Sequence, residues 1–447
     1  MRIRFLTVAI LLATTFAGRV SAEEAAKAGP VVLVKPTPDQ VAWQDMEIGL
    51  FIHFNIFTYH PWINTYPKSR ADLPSPDLFD PEHLDTDQWI EAAKAIGAKY
   101  AVLTAKHGEG FCLWPTEAYD YGVKQAKWLR GQGDVVAAFV KSCRKYGIEP
   151  GIYCAVNCNV YMDVLEGGRV KSGDHADQVR YRGICEQQLS ELWGRYGPLG
   201  EVWFDGGALS PDKGGVNLEP LLRRYQPHAM VFQSPQATIR WVGNENGVAP
   251  YPCWATAATP EPVGGGDPNG SFWRPGECDV PLRANEWGWK PAQEHLVRSL
   301  NDLMSIYYNS VGRNCNLLLN STPDRDGLIP KADMARYREF GAEVQRRFGH
   351  SLAETSGQGN TLELVLPQKT RIDHVILQEE IAQGERVREY VVEGLVDGQW
   401  RELANGSCIG HKRIEQFKPA DVTTVRLRVT KSVAAPLIRK MAVYRTE

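Results

Sequence analysis

Three short runs of sequence carry apolar residues straight into side chains that can do chemistry. Glu201-Val202-Trp203-Phe204-Asp205-Gly206-Gly207 ends in an acid followed by two glycines. Gly49-Leu50-Phe51-Ile52-His53-Phe54 delivers a histidine, and Tyr100-Ala101-Val102-Leu103-Thr104-Ala105-Lys106-His107 ends in a lysine and a second histidine. Carboxylates and imidazoles move protons, and carboxylates can also attack an electrophilic carbon. Glycines behind the acid allow a sharp turn or close backbone approach to a ligand. Asp205 alone would fit an Asx-turn that closes a strand. Several strands that all end in polar groups fit an active site better.

Near-continuous apolar runs separated by helical stretches predict parallel strands buried on both faces. A (β/α)8 TIM barrel collects the C-terminal ends of such strands at one face, where polar residues read as the site. Along the chain, helical signals begin at Gln40, and the His53 strand is followed by a Pro- and Asp-rich loop over 58–81. Loops of that length inside a domain are usually functional. Asp87 is expected to cap a helix over 88–96, and Asp134 one over 135–146 that stops at Gly147. Strands are predicted over 99–105 and 148–155. A long helix over 177–196 places Val179, Ile184, Leu189, Leu192 and Trp193 roughly on one face. Further strands are expected at 229–233 and 239–242, a helix at 293–310, a last barrel strand at 316–320 and a closing helix at 332–348. From about His350, short alternating runs with turns at Asp397-Gly398 and Asn405-Gly406 predict an all-β sandwich. The expected division is therefore an export signal over 1–22, a catalytic barrel over 23–348 and a sandwich over 349–447.

The chain has 447 residues, 43% hydrophobic and 23% charged, which is globular in character. A formal net charge of -3 argues against a nucleic-acid partner and against a polybasic membrane patch. Thirteen tryptophans supply flat apolar faces of the kind that stack on sugar rings. Arg2 and Arg4, an apolar run over 5–16 and Val20-Ser21-Ala22 predict a cleaved signal, hence an exported protein. That run is too short to span a membrane comfortably, and the mature chain offers no other candidate. Nine cysteines contain no CxxC pair and no zinc-like cluster, so no metal is expected and no disulfide pairing follows from spacing.

Taken together with Asn316-Leu317-Leu318-Leu319-Asn320, the three opening runs and the loop Gly108-Glu109-Gly110-Phe111-Cys112-Leu113-Trp114 resemble glycoside hydrolase family 29, the α-L-fucosidases, in content and order. The run from Ile239 to Gly247 resembles the branch that prefers α-1,3/1,4-linked fucose, and residues 376–379 and 409–414 resemble the sandwich of that branch. The resemblance implies a retaining exo-hydrolase that releases L-fucose from fucosylated glycans and needs no cofactor. It implies Asp205 as nucleophile and Glu245, which follows a strand-like run in an Asn-Glu-Asn-Gly loop, as general acid/base, with Glu261 and Glu286 in reserve. It also implies that His53, His107, Tyr153 and Trp203 contact the sugar. One departure is Gly108, where many members carry a second histidine, so one sugar contact is missing or comes from elsewhere. The acid in that loop is Glu109, read as structural or as support for the site. The alternatives are a catalytically inactive glycan-binding protein and a related α-L-glycosidase; turnover of an aryl α-L-fucoside separates an enzyme from a binder.

Overall fold

The computed structural model describes residues 33–60, 67–164 and 166–447. The expected export signal lies outside them. Eight parallel strands form one sheet: β1 (Ile48–Ile52), β2 (Tyr100–Lys106), β3 (Glu149–Cys154), β4 (Glu201–Trp203), β5 (Met230–Phe232), β6 (Arg240–Trp241), β9 (Gly276–Pro281) and β10 (Cys315–Ser321). Their order is β5-β4-β3-β2-β1-β10-β9-β6. A parallel bridge from Phe232 to Ile239 joins the two ends and closes the barrel.

Alternation along each strand sorts its side chains. Leu50, Ile52, Ala101, Leu103, Ile152, Val202 and Phe204 face out and share one core with the surrounding helices. Phe51, Tyr100, Val102, Tyr153, Trp203, Phe232 and Leu318 face in and fill the barrel. This period of two is the pleat itself. The helices are α1 (Pro38–Met46), α2 (Thr86–Ala95), α3 (Val135–Tyr146), α4 (His175–Arg195), α5 (Leu218–Tyr225), α6 (Leu300–Asn309) and α7 (Lys331–Phe348). No helix follows β5 or β6; a two-stranded hairpin, β7 (Thr256–Ala257) with β8 (Phe272–Trp273), fills the second gap.

Several helix starts differ from the sequence reading. Asp85, not Asp87, caps α2, accepting from the Asp87 and Gln88 amides. Asp87 instead binds Ser142 and Lys145 on α3. In α4 the cap is Asp174, Val179 is exposed, and Tyr181, Ile184, Cys185, Leu189 and Leu192 make the buried face. The expected helix over 293–310 splits into a 3-10 turn and α6, because Ser299 and Asp302 form a capping box that restarts the helix.

Beyond α7 the chain forms a six-stranded antiparallel sheet, order β11-β16-β12-β15-β13-β14. Its strands are β11 (Ala353–Gln358), β12 (Thr361–Glu379), β13 (Val387–Val396), β14 (Gln399–Gly406), β15 (Arg413–Ser432) and β16 (Leu437–Tyr444). β12 joins two runs that the sequence presents as separate strands, and register shifts against β15 bend both long strands around a core of Val375, Tyr390, Val425 and Met441. Ile376, Ile414, Ala442 and Tyr444 pack instead into the barrel's outer core. All nine cysteines are free thiols.

Candidate active site

β4 leaves the barrel with Glu201, Trp203 and Asp205 on its inner side and Val202 and Phe204 on its outer side. Gly206 and Gly207 then take φ of 62° and 86°, the left-handed region that favours glycine. A Cβ on Gly206 would stand 2.4 Å from Asn157 Nδ2, so any side chain there would have to push the Asn157 amide aside as well as take up the left-handed backbone.

His107 is aimed by a fault in β2. The ladder with β3 shifts register between Thr104 and Lys106. Ala105 therefore faces the helices, and Lys106 also turns away from the barrel interior, to donate to Gln188 Oε1 on α4 at 2.8 Å. The bulge brings His107 back to the inner side, as bulges beside active sites commonly do. His107 Nδ1 lies 3.3 Å from Glu109 Oε2, and its ring stacks on Tyr153 at 5.6 Å. Burial works against a charged His107 ring, but the carboxylates of Glu109 and Asp205 outweigh it and hold the ring above its ordinary value.

His53 follows β1, and its Nδ1 lies 2.7 Å from Asn320 Oδ1 at the end of β10. Burial, with the His107 ring beside it, pushes the His53 imidazole down to about 3, so it is neutral at ordinary pH. Tyr153 donates its O–H to Asp205 Oδ2 at 3.1 Å. Trp203 stacks on Phe232 at 4.1 Å and on Tyr153 at 5.3 Å.

These groups surround one cavity of ≈ 300 Å³ at the C-terminal ends of the strands. Asp205, Glu245, His53, His107, Tyr153 and Trp203, the six residues singled out from the sequence, all line it. Glu245 accepts from Trp287 Nε1 at 2.8 Å. The two reserve acids lie elsewhere: Glu261 is exposed, and Glu286 pairs with Lys290 at 2.7 Å. Gly108 is buried, and its carbonyl accepts from the Val160 amide at 2.8 Å, which ties the loop to the turn after β3. Among the described residues no group of three acids, histidines or cysteines could hold a metal ion.

Six further lining side chains were not proposed from the sequence as site residues: Phe51, Phe232, Gln233, Trp241, Asp279 and Trp287. Gln233 accepts from the Gly206 amide at 3.0 Å and has a positive φ of 48°. Trp241 donates to Asp279 Oδ1 at 2.7 Å, and burial keeps Asp279 well above the usual carboxylate range. Trp287 packs on His53 at 5.1 Å. Asp279 stands in the middle of β9, in the run Gly276-Glu277-Cys278-Asp279-Val280-Pro281, whose two acids hide the strand pattern, and Trp287 lies in a polar loop.

Comparison with known proteins gives the family and the fold. The alpha-L-fucosidase family model matches residues 32–347. The Arabidopsis thaliana protein alpha-L-fucosidase 1 is 30% identical over 92% of this chain and 88% of its own length. A crystal structure from Bacteroides thetaiotaomicron is 39% identical, covers 93% of this chain and 100% of that one, and superposes with a TM-score of 0.90. A Ruminococcus gnavus family 29 fucosidase in complex with fucose shares the fold, with a TM-score of 0.79 at 22% identity over 94% of this chain and 97% of that one. The chain belongs to the alpha-L-fucosidase family, the glycoside hydrolases of family 29.

Proposed function

We propose that the chain is an exported, retaining exo-α-L-fucosidase that releases L-fucose from glycans with α-1,3 or α-1,4 linkages. The observation that carries the mechanism is the cavity that Asp205 and Glu245 line together, each carboxyl held by an aromatic donor, Tyr153 and Trp287. In this reading Asp205 attacks the anomeric carbon while Glu245 protonates the departing glycosidic oxygen. The C–O bond breaks through an oxocarbenium-like transition state, and a fucosyl-Asp205 ester forms. Glu245, now ionised, takes a proton from water, and the resulting attack frees the Asp205 carboxylate.

Neutral His53 donates its Nδ1–H to Asn320 Oδ1, which leaves Nε2 to accept from a sugar hydroxyl. His107 presents a ring with a raised proton affinity, suited to donating. The Trp203 face suits the apolar side of the pyranose. The linkage preference rests on the resemblance of residues 239–247, and export on the basic, apolar and small-x-small pattern of residues 2–22. Division of labour at about residue 348 leaves all proposed chemistry in the barrel and a supporting or glycan-selecting role in the sandwich.

Paired variants test the two carboxyls. Asp205→Gly should abolish turnover of aryl and natural fucosides alike, with the fold retained. Glu245→Ala should be selective. A nitrophenolate leaves without protonation, whereas cleavage of a true glycan should fall by about 10²–10⁴-fold. Azide needs no base and should restore aryl-fucoside turnover, giving α-fucosyl azide. Normal turnover by Asp205→Gly, azide rescue at Glu261→Ala or Glu286→Ala in place of Glu245→Ala, or β-fucose as the first product by NMR would overturn the assignment concerned.

A further inference from the structure

Inside the barrel, two carboxyls from strands that are not neighbours in the sheet hydrogen-bond to one another. Glu201 on β4 and Glu277 on β9 are 1% and 0% exposed. Both oxygens of Glu277 are served: Tyr100 donates its O–H to Oε1 at 2.7 Å, and Trp203 donates its indole N–H to Oε2 at 3.0 Å. Glu201 receives only the Trp43 indole, at 3.0 Å on Oε2, and its Oε1 has no donor. Among the described residues neither acid has a basic partner.

Two charges in contact in a dry interior cannot both persist, so the pair keeps a proton. The donors decide where it sits. Glu277, with two donors aimed at it, is the acceptor and the anion. Glu201, with a vacant oxygen, is the acid and donates to Glu277. The electrostatics agree: burial raises both acids, Glu201 well above the usual range and Glu277 to about 7.

The same network reaches the nucleophile. Glu277 holds the nitrogen of Trp203, the Trp203 ring stacks on Tyr153, and the Tyr153 hydroxyl donates to Asp205. We propose that Glu277 is a positioning residue for the fucosidase reaction: it sets the plane of Trp203 and through it the place of Tyr153 and Asp205, while Glu201 supplies the shared proton that lets two carboxyls occupy the barrel interior. The inference rests on the reading in which the sugar docks between Trp203 and Asp205. Neither glutamate touches substrate in it.

The test compares two isosteric variants of the full chain. The amide of Glu201→Gln copies the protonated acid, with an N–H for Glu277 and an oxygen for Trp43. Its kcat/KM on an aryl α-L-fucoside should stay within about twofold of the parent, because every hydrogen bond is kept. The amide of Glu277→Gln cannot accept at both atoms, so Trp203 or Tyr100 loses its acceptor. Displacement of the site by a fraction of an ångström to an ångström should then lower kcat/KM by about tenfold to a hundredfold at unchanged circular dichroism. A sugar-free readout separates this inference from the reading beneath it. The Trp203 indole N–H resonance, assigned with Trp203→Phe, should move in Glu277→Gln and stay in Glu201→Gln.

Overturning results are a Glu277→Gln variant that loses thermal stability but keeps its kinetics, which makes Glu277 structural only, or a Glu201→Gln variant as impaired as Glu277→Gln. A moved indole resonance with normal kinetics also sinks the inference and leaves the Asp205 assignment, read from Asp205→Gly, intact. If Glu277→Gln does not fold, Glu201→Gln decides alone. Near-normal activity with an unmoved Trp203 resonance supports the shared proton, and a large loss of activity refutes it.

Discussion

His53 shows how one buried ring couples folding to pH. Its imidazole is held at about 3 by burial and by the neighbouring His107, against about 6.5 in an unfolded chain. The unfolded chain therefore takes up a proton below about pH 6.5 that the folded chain refuses. The contribution of neutral His53 is complete above that pH and is lost as pH falls toward 3. At pH 4.5 this is worth about 2–3 kcal/mol. His107 acts in the opposite sense, since its raised value adds stability on the acid side that disappears as pH rises through it. Replacing His53 with Gln, which cannot titrate, should flatten the fall in Tm between pH 7 and pH 4.5, measured by calorimetry. Parallel Tm curves for the two proteins would show that His53 takes no part in the acid sensitivity. The same neutrality leaves Nε2 with a lone pair that can accept from a hydroxyl while Nδ1–H stays on Asn320.

Among the elements, the loop after β9 is the one most dependent on a distant anchor. It carries Trp287, which holds Glu245, and Arg283 near its start makes a two-pronged ion pair with Asp333 on α7, at 2.9 and 3.2 Å. Both side chains are 1% exposed, and Arg283 also brackets the loop through bridges to Glu286 and Val297. Removing one partner of a buried pair strands the other's charge. Asp333→Ala should destabilise by about 3–5 kcal/mol in urea unfolding. Turnover by the folded fraction should fall in step with Trp287's hold on Glu245, more on a glycan than on an aryl fucoside. Unchanged urea stability would mean that Arg283 finds another partner. The β2 bulge belongs to the same scale: one extra residue exchanges the faces of Lys106 and His107 and so decides which of them reaches the cavity.

Across the whole molecule, barrel and antiparallel sheet share a hydrophobic seam. Ile376, Ile414, Ala442 and Tyr444 belong to the barrel's outer core, His411 meets Asp45 at 2.8 Å, and Glu385 accepts from the Ala255 amide at 3.0 Å. Ending the chain after residue 348 would expose the partners of these side chains, at about 1.5–3 kcal/mol for each large apolar group. Such a chain should be insoluble or melt well below the full protein, even though every proposed catalytic group is retained. A soluble 1–348 chain with the parent's Tm and substrate profile would show the sheet to be dispensable.

The sequence alone determined the class of fold and most of the inner ring of the site. Strand-end chemistry is local: an apolar run that stops at His53, His107 or Asp205 announces both the strand and the side chain at its mouth. Helix starts were legible only to within a few residues, because Asp85, Thr86 and Asp87 compete for one cap and only Asp85 has the extended backbone that capping needs. The remaining wall, with Gln233, Trp241, Asp279 and Trp287, comes from segments with weak periodicity, where β5 and β6 have no helix after them. Three acids, Glu245, Glu261 and Glu286, stood as candidates in that stretch, and the loop's path decides which one reaches the cavity. The Glu201–Glu277 contact joins residues 76 positions apart (277 − 201) on strands that meet only across the barrel. No local pattern encodes it; closure of the sheet brings the two carboxyls together, and the dry interior forces them to share a proton.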